Sequence, residues 1–294
     1  MKKNLLLALL GLFLISAAQA QNTEAKYMNP DQSNQQIGLP VPNQFYVRLG
    51  VGLSGGTTSN LDMLYKYTND GNKETVEVVP VDLGSGFTGS VAFGYMVKKY
   101  LGFELTVSQS LGFPNFGDSI MRFPGGYNIT GRILGNVLSV TPSVLITAGL
   151  SKVNPYARFG MVIGVVPTMY GKLEATQATN PPNDIVLIRK YYGGVALGFS
   201  AALGVDFNIS KIISLYAEAT FQGLTWSPFY SKITKYTING TDHLGDLTTF
   251  EKETEYYSKL DINAYVSPDV PKKELRKTYP FDNAGVTLGV RFKF

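Results

Sequence analysis

The chain has 294 residues, a mean hydropathy of +0.02, 31 glycines, 18 tyrosines, 17 phenylalanines and one tryptophan. Its formal net charge of +4 falls to +2 without Lys2 and Lys3 of the leader described below, which makes no case for nucleic acid as a partner. With no cysteine, neither a disulfide framework nor a lipid anchor on an N-terminal cysteine is expected.

Residues 1–20 read as a secretory signal peptide: Lys2 and Lys3, an apolar run from Leu5 to Ile15, then the small-x-small site Ala18-Gln19-Ala20. The run falls short of the roughly 20 apolar residues of a spanning helix, and no later stretch reaches that length. Residues 21–42 are polar, carry Pro30, Pro40 and Pro42, and read as a periplasmic lead-in without regular structure.

Alternation then begins. Phe45, Val47, Leu49, Val51 and Leu53 share one face of a first strand, against Tyr46, Arg48, Gly50 and Gly52. Residues 55–85 form a long polar connection in which Asn69-Asp70-Gly71 signals a hairpin turn and so a protruding ribbon. A second strand puts Phe87, Val91, Phe93, Tyr95 and Val97 opposite Thr88, Ser90, Ala92 and Gly94, and turns at Lys98-Lys99-Tyr100. The third sets Leu101, Phe103, Leu105 and Val107 against Gly102, Glu104, Thr106 and Ser108. After a Gly-, Pro- and Phe-rich loop over 112–136, the fourth carries Leu138, Val140, Pro142, Val144 and Ile146, with Ser139, Thr141, Ser143 and Thr147 on its other face. Pro142 lacks a ladder donor, so a bulge or local weakness is expected there.

The fifth strand has Ala157, Phe159, Met161 and Ile163 on one face and Tyr156, Arg158, Gly160 and Gly164 on the other, and is followed by a polar outer loop over 167–190. The sixth, 191–208, opposes Val195, Leu197, Phe199, Leu203, Val205 and Phe207 to a small set including Gly194, Gly198 and Gly204, which leaves room for bulky groups across the lumen. Gly193-Gly194 reads as part of the wall rather than a phosphate cradle, because no helix follows it. Ile213, Leu215, Ala217, Ala219 and Phe221 mark the seventh strand, against Ser214, Tyr216, Glu218, Thr220 and Gln222. The longest loop, 225–281, contains a second hairpin signal at Asn239-Gly240, a mixed-charge run and a basic run. Residues 282–294 close the chain with Ala284, Val286, Leu288, Val290, Phe292 and Phe294 alternating with Gly285, Thr287, Gly289, Arg291 and Lys293.

Long loops follow the odd strands and short turns the even ones. That rhythm predicts an all-β protein: an eight-stranded antiparallel up-and-down transmembrane β-barrel over residues 43–294, its apolar rows facing lipid and its long loops extracellular. Two further strands hidden in the first or last loop would make ten. The strand rhythm, the segment Pro155-Tyr156-Ala157-Arg158-Phe159-Gly160-Met161 and the terminal Arg291-Phe292-Lys293-Phe294 resemble the small OmpA/OmpX-like outer-membrane barrels, in particular the porin-like or PorT-like barrels of Bacteroidota-type bacteria. The resemblance implies residence in the outer membrane among its lipid and lipopolysaccharide, and a monomer. It also implies assembly by the barrel-assembly machinery, with Phe292 and Phe294 as the closing signal. An accessory role in protein export is implied by the PorT-like resemblance alone. Unlike full-length OmpA, the chain is expected to lack a peptidoglycan-binding domain.

The inward rows carry Arg48, Glu104, Arg158, Asp206, Glu218 and Arg291, three charges of each sign. An eight-stranded lumen is only wide enough for side chains to fill it, and unpaired charge there is costly, so a cross-lumen ion-pair network plugging the barrel is expected. The meander places Arg291 between Glu218 and Arg48. A narrow gated pore that exchanges ion-pair partners is the alternative. An enzyme that modifies lipid or peptide at the outer rim is a weaker one: the one histidine, His243, lies beside Asp242 and near Asp246, Ser227 and Ser231 in the last loop, yet matches no catalytic pattern. No catalytic, cofactor or metal residues are therefore assigned. The loops suit contact with an extracellular protein or glycan, the two ribbons offer free edges for strand addition, and Lys272, Lys273, Arg276 and Lys277 could meet an anionic surface such as lipopolysaccharide.

Overall fold

A computed structural model describes residues 44–57, 64–69, 74–118, 127–177, 183–261 and 267–294. The signal peptide, the lead-in and the Asp70-Gly71 turn lie outside the described residues. In chain order the strands are β1 (Gln44–Gly56), β2 (Tyr65–Asn69), β3 (Glu74–Val78), β4 (Gly86–Lys98), β5 (Leu101–Gly112), β6 (Asn115–Asp118), β7 (Tyr127–Thr147), β8 (Val153–Gly164) and β9 (Thr168–Gln177). They continue as β10 (Asn183–Tyr192), β11 (Ala196–Asn208), β12 (Ile213–Trp226), β13 (Tyr230–Ile238), β14 (Thr241–Asp242), β15 (Glu253–Tyr257), β16 (Lys272–Leu275), β17 (Tyr279–Pro280) and β18 (Asn283–Lys293), with a one-turn helix α1 (Thr249–Lys252) ahead of β15.

Eight of these close on themselves. The antiparallel order β1-β4-β5-β7-β8-β11-β12-β18 returns to β1, where Val47 faces Phe292 and Leu53 faces Val286. Closure removes every free edge, which is what an unpaired backbone in hydrocarbon would demand. Phe45, Val51, Phe93, Phe103, Met161, Leu197, Leu288 and Phe294 are exposed on the outside, a band too large and apolar for water. The Phe294 amide donates to the Phe45 carbonyl at 2.9 Å, so the chain end is stitched into the wall.

Pro142 does not make a bulge. The β7–β8 ladder runs through Val140↔Ile163, lapses, and resumes at Ser143↔Gly160 in the same register. The missing donor weakens two steps of the ladder without inserting a residue.

Above the barrel the wall continues as a crown. β9 pairs with the upper part of β7, β10 with β9, β13 with β10, β15 with β13, and β16 runs parallel to β15. The expected loop at 167–190 is thus the β9–β10 hairpin, and the expected loop at 112–136 contains β6 and the start of β7. The sixth wall strand starts at Ala196 rather than Tyr191, because Gly193 and Gly194 take φ of 79° and 76° and bend the sheet between β10 and β11. Asn239 (φ 51°) and Gly240 (φ 80°) form the expected two-residue hairpin turn, closing Ile238 onto Thr241. β13 is flanked by β10 on one side and, at its two ends, by β15 and β14 on the other.

Candidate functional site

The lumen is filled in three storeys. In the periplasmic half, Arg48 of β1, Glu104 of β5, Arg158 of β8 and Glu218 of β12 form a closed ring of ion pairs. The Arg48 contacts are 3.1 Å to Glu104 and 2.7 Å to Glu218, and those of Arg158 are again 3.1 and 2.7 Å. The four side chains come from every second strand, so each reaches the barrel axis without colliding with its neighbours. Arg291 and Asp206, from two of the intervening strands, pair separately at 2.5 Å. Arg291 does face Arg48 across the β1–β18 ladder, but its carboxylate partner is Asp206 and not Glu218, because Glu218 lies opposite Thr287.

Three tyrosines complete this storey. The Tyr46 hydroxyl donates to Glu104 at 3.1 Å and the Tyr156 hydroxyl to Glu218 at 2.8 Å, while Arg48 lies over the Tyr216 ring at 3.9 Å and Arg291 over the Tyr46 ring at 4.6 Å. Each ring lies against the glycine directly opposite in the ladder: Tyr46 on Gly94, Tyr156 on Gly204, Tyr216 on Gly289. A Cβ at any of these glycines would strike the ring. Inward glycines in the sequence point to this room, but not to the tyrosines as members of the network.

Above the ring is a small chamber of about 80 Å³, walled by Ser90, Thr106, Ser108, Thr141, Ser200, Thr220 and Thr287 with Arg158 and Glu218 in its floor. The third storey is apolar. Ile133, Val137, Val162, Met169, Ala196, Leu224 and Trp226 point inward from the upper wall, and Leu64, Val81, Leu83, Tyr279 and Phe281 fold down onto them from the returning arms of two loops. Trp226 meets Phe281 at 5.9 Å and Tyr279 at 6.1 Å between ring centroids, and its indole N–H donates to the Gly193 carbonyl at 2.9 Å. Burial pushes the Tyr191 phenol, beside this cluster, up to about 12 and raises Tyr279 too, so both stay neutral.

Both arms are tied by hydrogen bonds. The Asp82 carboxylate accepts from the amides of Gly56 (3.0 Å), Gly84 (2.8 Å) and Ser85 (2.8 Å). Phe281 N–H donates to the Leu224 carbonyl at 2.7 Å, and the Asp282 carboxylate accepts from Leu224 N–H at 2.8 Å.

This barrel, apolar outside and packed within, matches the family model of the outer membrane protein beta-barrel domain over residues 5–294. The chain belongs to that family. It is a transmembrane protein of the outer membrane. Solved structures to which it is similar include OprG from Pseudomonas aeruginosa (15% identity, 88% of this chain and 98% of that one, TM-score 0.41). Neisserial surface protein A is similar at 12% identity over 85% and 97% of the two chains (TM-score 0.35), and Ail of Yersinia pestis at 12% over 86% and 100% (TM-score 0.30). The search of curated proteins found no match.

The rim residues weighed for catalysis are not brought together. His243 accepts or donates at Nδ1 with Asp246 (2.7 Å) and sits beside Tyr236, whose carbonyl takes its amide proton. Ser231 is five residues, about 16 Å, down the same strand, buried against Tyr256 and Arg189. Ser227 contacts Thr278 instead. Among the described residues no cluster of His and carboxylate side chains has a metal-binding arrangement. Of the basic run, Lys272 pairs with Glu274 at 2.7 Å, Arg276 lies over Phe229 at 4.5 Å, and Lys273 lies over Tyr257 at 5.8 Å.

Proposed function

We propose that this outer-membrane barrel is a plugged, non-catalytic envelope protein that acts through contacts of its extracellular crown. One observation supports the reading: an ion-pair ring crosses the lumen below and an apolar cluster packs across it above. A narrow pore gated by exchange of ion-pair partners would still meet this apolar cap, which weighs against it. Planar-bilayer recording is the test. The full-length chain is expected to give no unitary conductance, and steady ion flow through it would overturn the plugged reading.

The contact role draws on what the crown presents. Tyr192 and Tyr230 stack at 5.7 Å on its exposed face, with Phe229 and Tyr257 also exposed, side chains suited to a protein or glycan surface. Lys273, Arg276 and Lys277 add positive charge near the same face, and lipopolysaccharide phosphate is the anionic partner this reading assigns to them. Binding of purified protein to immobilised lipopolysaccharide is expected to weaken in a variant carrying Ala at 272, 273, 276 and 277, most at low salt. Undiminished binding would remove that contact.

A further inference from the structure

The outer wall carries a broad, open depression. Where the β7–β8 ladder lapses at Pro142, a groove of about 580 Å³ opens toward the membrane, bounded by Phe93, Phe103, Pro142, Val144, Phe159 and Met161. It lies in the periplasmic half: Phe103, Val144 and Phe159 are register partners, and Leu101, two residues below Phe103, already borders the turn. At a strand's rise the groove floor is about 10 Å from the periplasmic turns.

Two turns sit directly beneath it, 98–100 joining β4 to β5 and 148–152 joining β7 to β8. They touch, the Thr147 amide donating to the Tyr100 carbonyl at 3.0 Å. They carry Lys98, Lys99 and Lys152, and neither turn contains an acidic residue. Lys98 and Lys152 are exposed, and the Lys99 ammonium lies 5.5 Å from the Tyr100 ring centroid.

We propose that the groove and these lysines form a site for one anionic phospholipid of the periplasmic leaflet, with an acyl chain along Pro142 and the phosphate held by Lys98, Lys99 and Lys152. The occupant follows from where the groove is. This face meets hydrocarbon, so an acyl chain gains little hydrophobic free energy on entering and is held by packing against the aromatic walls. Selection then falls to charge at the head group, and three lysines on adjoining turns that themselves contain no acidic residue favour phosphate bearing a net negative charge.

Native mass spectrometry of the full chain, released from detergent containing equal amounts of dioleoylphosphatidylglycerol and dioleoylphosphatidylcholine, tests this. The folded protein is expected to retain one phosphatidylglycerol in preference. Lys98→Ala, Lys99→Ala and Lys152→Ala are each expected to cut the preference roughly fivefold. Val144→Trp, which fills the groove from its lipid side, is expected to lower retention of both lipids, with folding checked by heat-modifiable gel migration. Lys211→Ala, in the remaining periplasmic turn, serves as the control and is expected to leave the preference unchanged. Equal retention of the two lipids by the wild type overturns the proposal. So does a Val144→Trp variant that binds as before, or a Lys211→Ala effect as large as the others.

Discussion

The lower and upper storeys of the lumen fill the same cylinder with opposite chemistry and from different sources. Below, every group belongs to a wall strand: Arg48, Glu104, Arg158 and Glu218 need no loop to meet. Above, the wall supplies half a core, and Val81, Leu83, Tyr279 and Phe281 must arrive from two loops to complete it. The first filling is therefore set once the strands are in register, while the second depends on the loops folding afterwards. Disturbing one should leave the other standing, and the single tryptophan, Trp226, sits inside the cap as its reporter.

The largest effect is expected at the ring. Arg48→Ala removes the guanidinium bridging Glu104 and Glu218 and leaves two buried carboxylates to share Arg158, a loss of about 3–5 kcal/mol. Urea unfolding in phospholipid vesicles would measure it, and native Trp226 emission should not move. A change under about 1 kcal/mol would mean that the ring contributes little to stability.

Phe281→Ala attacks the other storey. It deletes a ring packed on Trp226 at 5.9 Å and is expected to cost about 3 kcal/mol, at the low end for such a truncation because its arm can settle into the space. Here Trp226 emission should shift to the red. An unshifted spectrum would show that the cap does not rely on the arm. Gly135→Ala comes at the same contact from the wall side, since a Cβ there would sit 2.6 Å from Phe281 Cε1 and 3.4 Å from Leu83 Cβ. Overpacking of this kind costs about 1–3 kcal/mol and should be relieved when combined with Phe281→Ala, as a double-mutant cycle would reveal.

The contrast also explains what the sequence displayed. The eight wall strands were legible because lipid outside and side-chain filling inside impose a period of two, so Arg48, Glu104, Arg158, Glu218 and Arg291 could be placed inward by counting alone. Which inward charge meets which depends on the stagger between strands, and counting along one strand says nothing of it; hence Asp206, not Glu218, pairs with Arg291. Val81 and Phe281 stand in segments without periodicity, and inward Leu145, Val162 and Leu224 break the polar-inside rule. Their purpose is tertiary. The crown strands were hidden for a related reason: above the membrane neither face meets lipid, so β9, β10 and β13 lack the apolar/polar alternation that marks a spanning strand, and β10 is apolar on both faces from Ile185 to Ile188.

A last pair of positions separates backbone cost from packing cost at the edge of these two regions. Gly193 and Gly240 share nearly the same left-handed φ, 79° and 80°. A Cβ at Gly193 would press on Tyr230 and Phe229 at 3.1 and 3.3 Å, beside the carbonyl that accepts from Trp226, whereas one at Gly240 would meet nothing within 4 Å. Gly240→Ala should therefore show the conformational penalty alone, about 1 kcal/mol, confined to the tip of the β13–β14 hairpin. Hydrogen exchange at His243, whose amide bonds to the Tyr236 carbonyl, should quicken, while Trp226 emission and the global unfolding midpoint stay fixed. If the midpoint falls too, the hairpin tip is coupled to the cap and the two regions do not fold as separable units.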